Sequence, residues 1–187
     1  MRIIAGKMKG ASLFMTPNKN TRPLKDMVRE SIFNLLTHSN KFLFQIEKTN
    51  ILDLYSGTGS FGLECLSRNA KNVCFIEKDK SAIKVLKDNI EKLKVKKKIN
   101  IYPIDVTSFI KKDMNNKYDL IFCDPPFKNN NIDNLVKLFF EKKLLKKNGI
   151  IIIHRNKKSN DKFPNYFNIL DERFYGISKI IFGKILS

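Results

Sequence analysis

The residues of this chain that most suggest chemistry are Asp124, Pro125, Pro126 and Phe127, which directly follow the apolar run at residues 120–123. The apolar run predicts a buried strand, and the prolines predict a stiff strand end because each fixes its own φ and restricts the residue before it. A carboxylate, a fixed backbone carbonyl and an aromatic ring could together hold a planar nucleobase by its exocyclic amine. Ending a strand is the simpler role of a proline pair, so this tetrad needs supporting features elsewhere.

A second candidate site lies upstream, where a short apolar stretch at residues 51–55 leads into a glycine-rich turn at residues 56–62. This order of strand, turn and helix predicts a ligand site, because glycines allow close backbone approach and a helix N-terminus offers N–H groups. The spacing of Gly57, Gly59 and Gly62 also fits a dinucleotide fingerprint, which leaves NAD open at this point.

Acidic residues accompany the ends of the predicted strands. Asp53 lies at the end of the first strand, Glu77 ends the second and Asp105 follows the third. Ligands of open α/β sheets bind at the carboxyl ends of strands, so these side chains are candidates for one site. A nicotinamide enzyme has no obvious use for the later tetrad. Asp105 has a structural alternative as the N-cap of a short helix that begins at Val106.

Taken together, these motifs resemble a class I S-adenosylmethionine-dependent methyltransferase. A closer resemblance rests on N-terminal residues, namely Arg2, Ile3, Ile4, Ala5, Gly6, Lys9, Gly10, Leu13, Arg22, Pro23, Val28, Arg29, Glu30, Phe33 and Asn34, joined by Tyr175 and Gly176 near the C-terminus. In these residues the chain resembles the RsmD family, which methylates the N2 amine of a guanine in bacterial 16S ribosomal RNA. The chain departs from the family at Leu24 and Lys25, where threonine is usual, and at Lys9, where arginine is more usual.

For the cofactor, the resemblance implies a site across the carboxyl ends of the first three strands. The residues expected to contact S-adenosylmethionine or to order its site are Asp53, Ser56, Gly57, Gly59, Glu77, Asp105 and Asp124. In this set Glu77 would take the ribose hydroxyls and Asp105 would accept from the adenine amine.

For the reaction, the resemblance implies that Asp124, Pro125, Pro126 and Phe127 are catalytic. The Asp124 carboxylate and the Pro125 carbonyl would each accept one N–H of the target amine, and Phe127 would stack on the extruded base. Ordinary core packing is the alternative role of Phe127.

The first 23 residues are predicted to form a basic arm that binds RNA, ahead of a methyltransferase domain at residues 24–187. The candidate RNA-binding residues are Arg2, Lys7, Lys9, Arg22 and Arg29. A formal net charge of +18, from 36 basic and 18 acidic residues, suits a polyanionic partner, although A- and T-rich codons also supply lysine. The expected partner is 16S rRNA in the small ribosomal subunit or its assembly intermediate, bound by a monomer.

Strands and helices are predicted to alternate from residue 50 onward, which favours an α/β fold with a mostly parallel, Rossmann-like sheet. Strands are expected near residues 51–55, 73–77, 99–104, 118–123 and 149–154, and helices near residues 24–37, 61–69, 80–94, 107–113 and 132–145. Residues 167–175 and 178–186 flank a short turn and predict a C-terminal antiparallel hairpin.

The cysteines and histidines give no sign of a metal site. Cys65, Cys74 and Cys123 form no CxxC pair and are typical of reduced core residues in a cytoplasmic protein. His38 and His154 show no ligand-like spacing with them. The N-terminus lacks the apolar region of a signal peptide, and no apolar run reaches the length of a membrane span, so neither is expected.

Three other functions use part of the same pattern. An adenine-N6 methyltransferase acting on DNA or RNA would share the cofactor site and the tetrad, but usually carries a target-recognition region for which 187 residues leave little room. A nicotinamide oxidoreductase would use the same glycines. A non-catalytic RNA-binding protein would keep the charge but would need neither Asp124 nor Glu77.

Overall fold

A computed structural model describes residues 1–16, 24–42, 44–112, 116–127 and 131–186 of the chain. The strands, numbered in chain order, are β1 Asn50–Leu54, β2 Asn72–Ile76, β3 Ile99–Tyr102, β4 Tyr118–Cys123, β5 Leu145–Asn156, β6 Phe167–Tyr175 and β7 Ser178–Ile185. The α-helices are α1 Asp26–His38, α2 Ser60–Ser67, α3 Lys80–Lys92, α4 Val106–Lys111 and α5 Ile132–Glu141.

The strands form a single sheet in the order β3-β2-β1-β4-β5-β7-β6. The first five strands pair in parallel, and β7 lies antiparallel between β5 and β6. The predicted α/β fold with a C-terminal hairpin is therefore confirmed. Because the strand order reverses at β1, a crevice opens at the carboxyl ends of β1 and β4, where such sheets bind ligands.

Both faces of the sheet are buried along its central strands, which explains why those strands are almost continuously apolar, whereas the edge strands β3 and β6 are partly exposed. Alternate side chains enter opposite cores, so Ile51 packs with α1, α2 and α3 while Leu52 packs with α4 and α5. The three cysteines are buried and unpaired, as predicted, and burial raises the pKa of the Cys74 thiol to about 12. None of the helices in the described ranges is long and apolar enough to cross a membrane.

The end of α5 differs from the sequence prediction. The helix ends at Glu141 rather than near residue 145, because Lys143 adopts a left-handed conformation with φ 49°. The Leu144 N–H then donates to the carbonyl of Phe139 at 3.1 Å, which closes a Schellman motif. Lysine stands where this motif usually has glycine, so nothing in the sequence indicates that the helix ends at this point.

The described part of the arm, residues 1–16, is docked against α2 and α3. Its apolar side chains Ile3 and Leu13 belong to the core. The fully buried Glu64 carboxylate of α2 accepts hydrogen bonds from the backbone N–H groups of Ile4 at 2.7 Å and Ala5 at 2.9 Å. The arm is therefore part of the folded domain over these residues.

A buried amide side chain makes a second connection between the arm and the domain. Asn89 of α3 accepts from the Phe14 N–H at 2.7 Å and donates to the Phe14 carbonyl at 3.2 Å. The same amide nitrogen donates to the carbonyl of Thr58 in the glycine-rich turn at 3.1 Å. One side chain thus connects the arm to the turn expected to bind the cofactor.

We expect Glu64→Ala to destabilise the fold by about 2–4 kcal/mol, because two buried backbone donors and the Arg68 side chain, 2.9 Å from Glu64 Oε1, lose their acceptor. Urea unfolding measures this loss, and limited trypsin digestion should show faster cleavage after Lys7 and Lys9. Glu64→Gln keeps one acceptor oxygen and should lose less stability. Unchanged stability and an equally protected arm in Glu64→Ala would contradict this docking role.

Candidate active site

A cleft of about 510 Å³ opens at the carboxyl ends of β1 to β5. Most of the predicted cofactor and catalytic residues line it together, namely Asp53, Ser56, Gly57, Glu77, Asp105, Asp124, Pro125, Pro126 and Phe127. The arm contributes Met15 and Thr16 to the same wall. Residues from segments that are far apart in the sequence therefore meet in one site.

Gly59 is the predicted cofactor residue that does not line this cleft. It is the N-cap of α2, with φ 83°, a conformation that L side chains rarely adopt. A Cβ atom added there would lie 2.3 Å from Leu86 Cδ1. Gly59 therefore permits the tight turn and the packing of α3, and a direct cofactor contact is not supported by its position.

Asp53 is the most deeply buried carboxylate at the cleft, with 1% of its surface exposed. Its Oδ2 atom accepts from the Gly62 N–H at 3.0 Å, which fixes the first turn of α2 against β1. Burial raises the pKa of this carboxyl to about 8; the Gly62 hydrogen bond opposes that rise, while the negative charges of Asp124 and Glu77 add to it. Asp53 therefore orders the turn, as the resemblance implied, and does so largely in its protonated form at neutral pH.

Glu77 shapes the same turn from the end of β2. Its Oε2 atom accepts from the Gly57 N–H at 2.8 Å, while Oε1 accepts from the N–H groups of Lys78 at 2.8 Å and Asp79 at 2.9 Å. A carboxylate offers about four lone-pair positions, so these three bonds leave room for a ligand hydroxyl. The position suits the predicted contact with a ribose.

Ser56 and Asp105 complete the region expected to hold the cofactor. The Ser56 hydroxyl is buried and has no hydrogen-bond partner among the described residues, which fits a polar group supplied by a ligand. Asp105 caps α4, with Oδ1 accepting from Thr107 N–H at 2.9 Å and Ser108 N–H at 3.3 Å. The structural alternative for Asp105 is thus confirmed, and its half-exposed carboxylate still faces the cleft.

The tetrad lies at the end of β4, and its Asp124 side chain has a partner that sequence reasoning missed. Asp124 Oδ1 lies 2.7 Å from Nδ1 of His154, a residue of β5 that is 5% exposed. Cys123 pairs with Ile153 across β4 and β5, so the next residue of each strand is its neighbour at the strand end. This parallel register is the signal from which His154 could have been found.

Aromatic and strained residues form the rest of the cleft. The rings of Phe61 and Phe122 stack with centroids 3.9 Å apart at 11°, and both line the cleft. Tyr55 also lines it and has φ 57°, which is uncommon for a residue other than glycine. Such backbone conformations concentrate at functional sites. Sequence reasoning placed Tyr55 only at a strand end.

The described residues among the predicted RNA-binding set do not line the cleft. Arg2, Lys7 and Lys9 are exposed on the docked arm, and Arg22 lies outside the described residues. Arg29 requires a correction because its side chain is fully buried. Its guanidinium donates to the carbonyl of Arg2 and to Asp26 at 3.0 Å, so it secures the arm and is not placed to contact RNA.

The charges of the cleft contrast with those of the whole chain. Glu77, Asp79, Asp105 and Asp124 line it with Lys78 and the largely protonated Asp53, although the formal net charge of the chain is +18. Within the described ranges, no group of three or more His, Cys, Asp or Glu residues is arranged to hold a metal ion. The carboxylates of the cleft favour a positively charged ligand.

This strand order, with a glycine-rich turn, acidic strand ends and the tetrad in one cleft, defines an α/β protein of the class I methyltransferase type. The family model described as "Conserved hypothetical protein 95" matches residues 1–184. The chain belongs to this family, and its predicted membership of the RsmD family is confirmed.

Named relatives and solved structures agree with this membership. Ribosomal RNA small subunit methyltransferase D of Haemophilus influenzae is 35% identical over 182 residues, covering 95% of this chain and 90% of that protein. The protein of the same name from Buchnera aphidicola is 33% identical over 160 residues, covering 86% and 78%. A solved structure from Escherichia coli superposes with a TM-score of 0.85 at 25% identity, covering 100% of this chain and 98% of that one. One from Haemophilus influenzae gives 0.81 at 30% identity, covering 100% and 99%.

The buried carboxyl of Asp53 predicts a pH dependence of stability. Because its pKa is about 8 in the fold and near 3.8 in a short peptide, the folded state holds a proton that the unfolded chain lacks between these values. Stability should therefore fall as pH rises through this range, by up to about 1.4 kcal/mol per pH unit for one such group.

We expect Asp53→Asn to reduce this fall, because its amide oxygen can still accept from Gly62 and no longer titrates. The test compares the free energy of urea unfolding of both proteins at pH 5.5 and pH 7.5. The wild-type protein should lose about 1–3 kcal/mol more than the variant between these values. Equal losses would mean that Asp53 is ionised in the fold.

Proposed function

We propose that this protein transfers a methyl group from S-adenosylmethionine to the exocyclic N2 amine of a guanine in 16S ribosomal RNA. The relatives named above support the broader reaction, methylation of ribosomal RNA of the small subunit. The observation that carries the proposal is the tetrad at the end of β4, which faces the same cleft as Ser56 and Glu77. One site can thus hold a methyl donor and present an amine to it.

The residues of the cleft fit S-adenosylmethionine, which supplies a methyl group on a positively charged sulfur when bound. The unpartnered Ser56 hydroxyl and the remaining lone pairs of Glu77 can bind the polar groups of an amino acid and a ribose. Asp105, which follows β3, would accept from an adenine amine. The carboxylates also favour a cationic ligand over a dinucleotide, whose pyrophosphate is an anion.

Asp124 and Pro125 are the residues that would act on the target amine. The lone pair of a guanine N2 amine is delocalised into the ring, which makes the nitrogen a poor nucleophile. If the Asp124 carboxylate and the Pro125 carbonyl each accept one N–H, the nitrogen can become pyramidal and direct its lone pair out of the ring plane. Asp124 would also stabilise the positive charge that develops on the nitrogen.

The rest of the tetrad would position the base. Phe127 is half-buried at the cleft, where a flat ring can stack on a base for about 1–3 kcal/mol. The two prolines restrict the backbone between the Pro125 carbonyl and Phe127, because each fixes its own φ. A restricted backbone would help to orient the base, and orientation of the reacting groups strongly affects the rate of methyl transfer.

The RNA would be bound outside the cleft by exposed basic residues. Arg2, Lys7 and Lys9 lie on the docked arm, whose residues Met15 and Thr16 reach the cleft wall. A phosphate backbone held along the arm would therefore approach the site where the amine reacts. The proposed partner is the small ribosomal subunit or its assembly intermediate, bound by a monomer in the cytoplasm.

The proposed reaction predicts a specific product. Purified protein incubated with labelled S-adenosylmethionine and unmethylated small ribosomal subunits should yield N2-methylguanosine when the RNA is digested and its nucleosides are identified by mass. N6-methyladenosine would instead support the adenine-N6 alternative. A protein that binds the cofactor but methylates neither subunits nor naked 16S rRNA would contradict the proposed substrate.

The same assay tests the role of Asp124. We expect Asp124→Ala to lower kcat by about 100-fold or more, because the carboxylate that stabilises the developing charge is lost, while cofactor affinity stays nearly unchanged. Asp133→Ala removes an exposed carboxylate of α5 outside the cleft and should keep full activity. An Asp124→Ala enzyme with wild-type kcat would refute the proposed mechanism.

The arm predicts a change in the salt dependence of RNA binding. Replacing Arg2, Lys7 and Lys9 by alanine should reduce the slope of log affinity against log salt by about 0.7–0.9 for each phosphate that the arm no longer neutralises. The control replaces three exposed lysines outside the arm and the cleft, Lys137, Lys142 and Lys147, and so removes equal charge. If both triple variants change the slope equally, the arm has no specific role and only net charge matters.

A further inference from the structure

His154 is a buried polar residue of the cleft to which the proposed reaction assigns no role. It lies at the carboxyl end of β5, lines the cleft beside Asp124 and is 5% exposed. Its two ring nitrogens both have partners, Nδ1 with Asp124 Oδ1 at 2.7 Å and Nε2 with Ser178 Oγ at 2.9 Å. The imidazole is thus held at both ends, with the tetrad on one side and β7 on the other.

The short distance to Asp124 determines how the ring is protonated. A carboxylate oxygen and a bare ring nitrogen would repel each other at 2.7 Å, so one proton must lie between them. When Asp124 is ionised, that proton is on His154, and Nδ1–H donates to Oδ1. The Ser178 hydroxyl can either donate to Nε2 or accept from it, so it satisfies the other side of the ring in both cases.

The hydrogen bond to His154 involves only one of the two carboxylate oxygens of Asp124. Oδ1 is engaged by the ring, whereas Oδ2 takes no part in this bond. A carboxylate offers about four lone-pair positions, so one oxygen can fix its orientation while the other accepts a donor in the cleft. This division suits an amine that presents one N–H to the carboxylate and the other to the Pro125 carbonyl.

The same imidazole also contacts the far end of the tetrad. The rings of His154 and Phe127 meet edge to face, with centroids 5.4 Å apart and an interplanar angle of 78°. His154 therefore touches both the residue proposed to hold the amine and the residue proposed to stack on the base. Movement of the ring would disturb both.

We infer that His154 is a positioning residue for methyl transfer, which holds the Asp124 carboxylate by one oxygen so that the other can accept an N–H of the target amine. This inference rests on the proposed function. The chain Asp124, His154, Ser178 contains the residue types of a hydrolase triad, but their placement is reversed. The carboxylate lines the cleft, whereas Ser178, at the start of β7, is not among the described residues that line it, so the serine bonded to His154 is not presented to a substrate as a nucleophile.

Two substitutions separate the hydrogen bond from the shape of the ring. His154→Phe keeps a ring that can pack on Phe127 but removes the donor to Asp124. His154→Asn removes the ring but can place an amide N–H near the position of Nδ1. If orientation of Asp124 is the function of His154, His154→Phe should lower kcat by about 10- to 100-fold and His154→Asn should recover most of it.

Binding measurements make this comparison specific. We expect the KM for RNA and the Kd for S-adenosylmethionine to change less than about threefold in His154→Phe, because this variant keeps a ring against Phe127 and loses only the hydrogen bond that acts on the reacting amine. Ser178→Ala removes the partner of Nε2 but leaves the bond to Asp124, so it should lower kcat less than His154→Phe does. Asp133→Ala, outside the cleft, is the control that should keep full activity. Wild-type kcat in His154→Phe, or no recovery in His154→Asn when both variants fold and bind the cofactor, would overturn the inference.

A spectroscopic measurement keeps the test independent of the proposed substrate. The chain has two histidines, so ¹⁵N NMR of the labelled protein and of His38→Gln, which removes the exposed one, assigns the His154 ring. We expect a protonated, strongly hydrogen-bonded Nδ1 whose resonance shifts in Asp124→Asn. An Nδ1 signal unaffected by Asp124→Asn would refute the contact itself. If the wild-type protein shows the expected Nδ1 signal but methylates no RNA, only the proposed function is contradicted.

Discussion

The cleft depends above all on the parallel pairing of β1 with β2 on one side and β4 on the other. Leu54 lies opposite both Ile76 and Cys123, so the three strands end at the same level and their next residues emerge together. Since both faces of the sheet are buried, a slip of one residue would turn every side chain of a strand to the wrong core. The cores that stabilise the sheet therefore also fix the relative positions of Glu77 and Asp124.

That arrangement gathers like charges, and the protein accommodates them by burial and protonation. Asp53, Glu77 and Asp124 lie close enough for the charges of the other two to raise the pKa of Asp53, although burial has the larger effect. A neutral Asp53 can still accept the Gly62 N–H that holds α2, so its structural role does not require ionisation. A bound cation would reduce the same repulsion between carboxylates, so a positively charged ligand would stabilise the acidic cleft.

The strands, the hairpin and most cleft residues could be predicted because they depend on local patterns: apolar runs, a glycine-rich turn and carboxylates at strand ends. What could not be predicted depends on contacts between distant segments. The Glu64 carboxylate meets Ala5 across 59 residues, and His154 meets Asp124 across 30. Arg29 looked like a surface cation because a helix sequence alone does not reveal that the arm covers it. The stop at Lys143 was missed because its left-handed conformation is stabilised by hydrogen bonds rather than by residue type.

The arm and the glycine-rich turn at residues 56–62 are parts of one hydrogen-bonded framework. Under the proposed function, this framework would hold the RNA and the methyl donor in a fixed relation. Glu64 of α2 binds the start of the arm, and Asn89 of α3 binds both Phe14 and the Thr58 carbonyl. Both helices begin at ends of strands that form the cleft, so the arm is held in fixed relation to the cofactor residues. A loosely tethered arm would add affinity for RNA without orienting it. If RNA is bound as proposed, the docked arm would also align its phosphate backbone with the Asp124 carboxylate, and alignment of the amine is what a direct methyl transfer would need most.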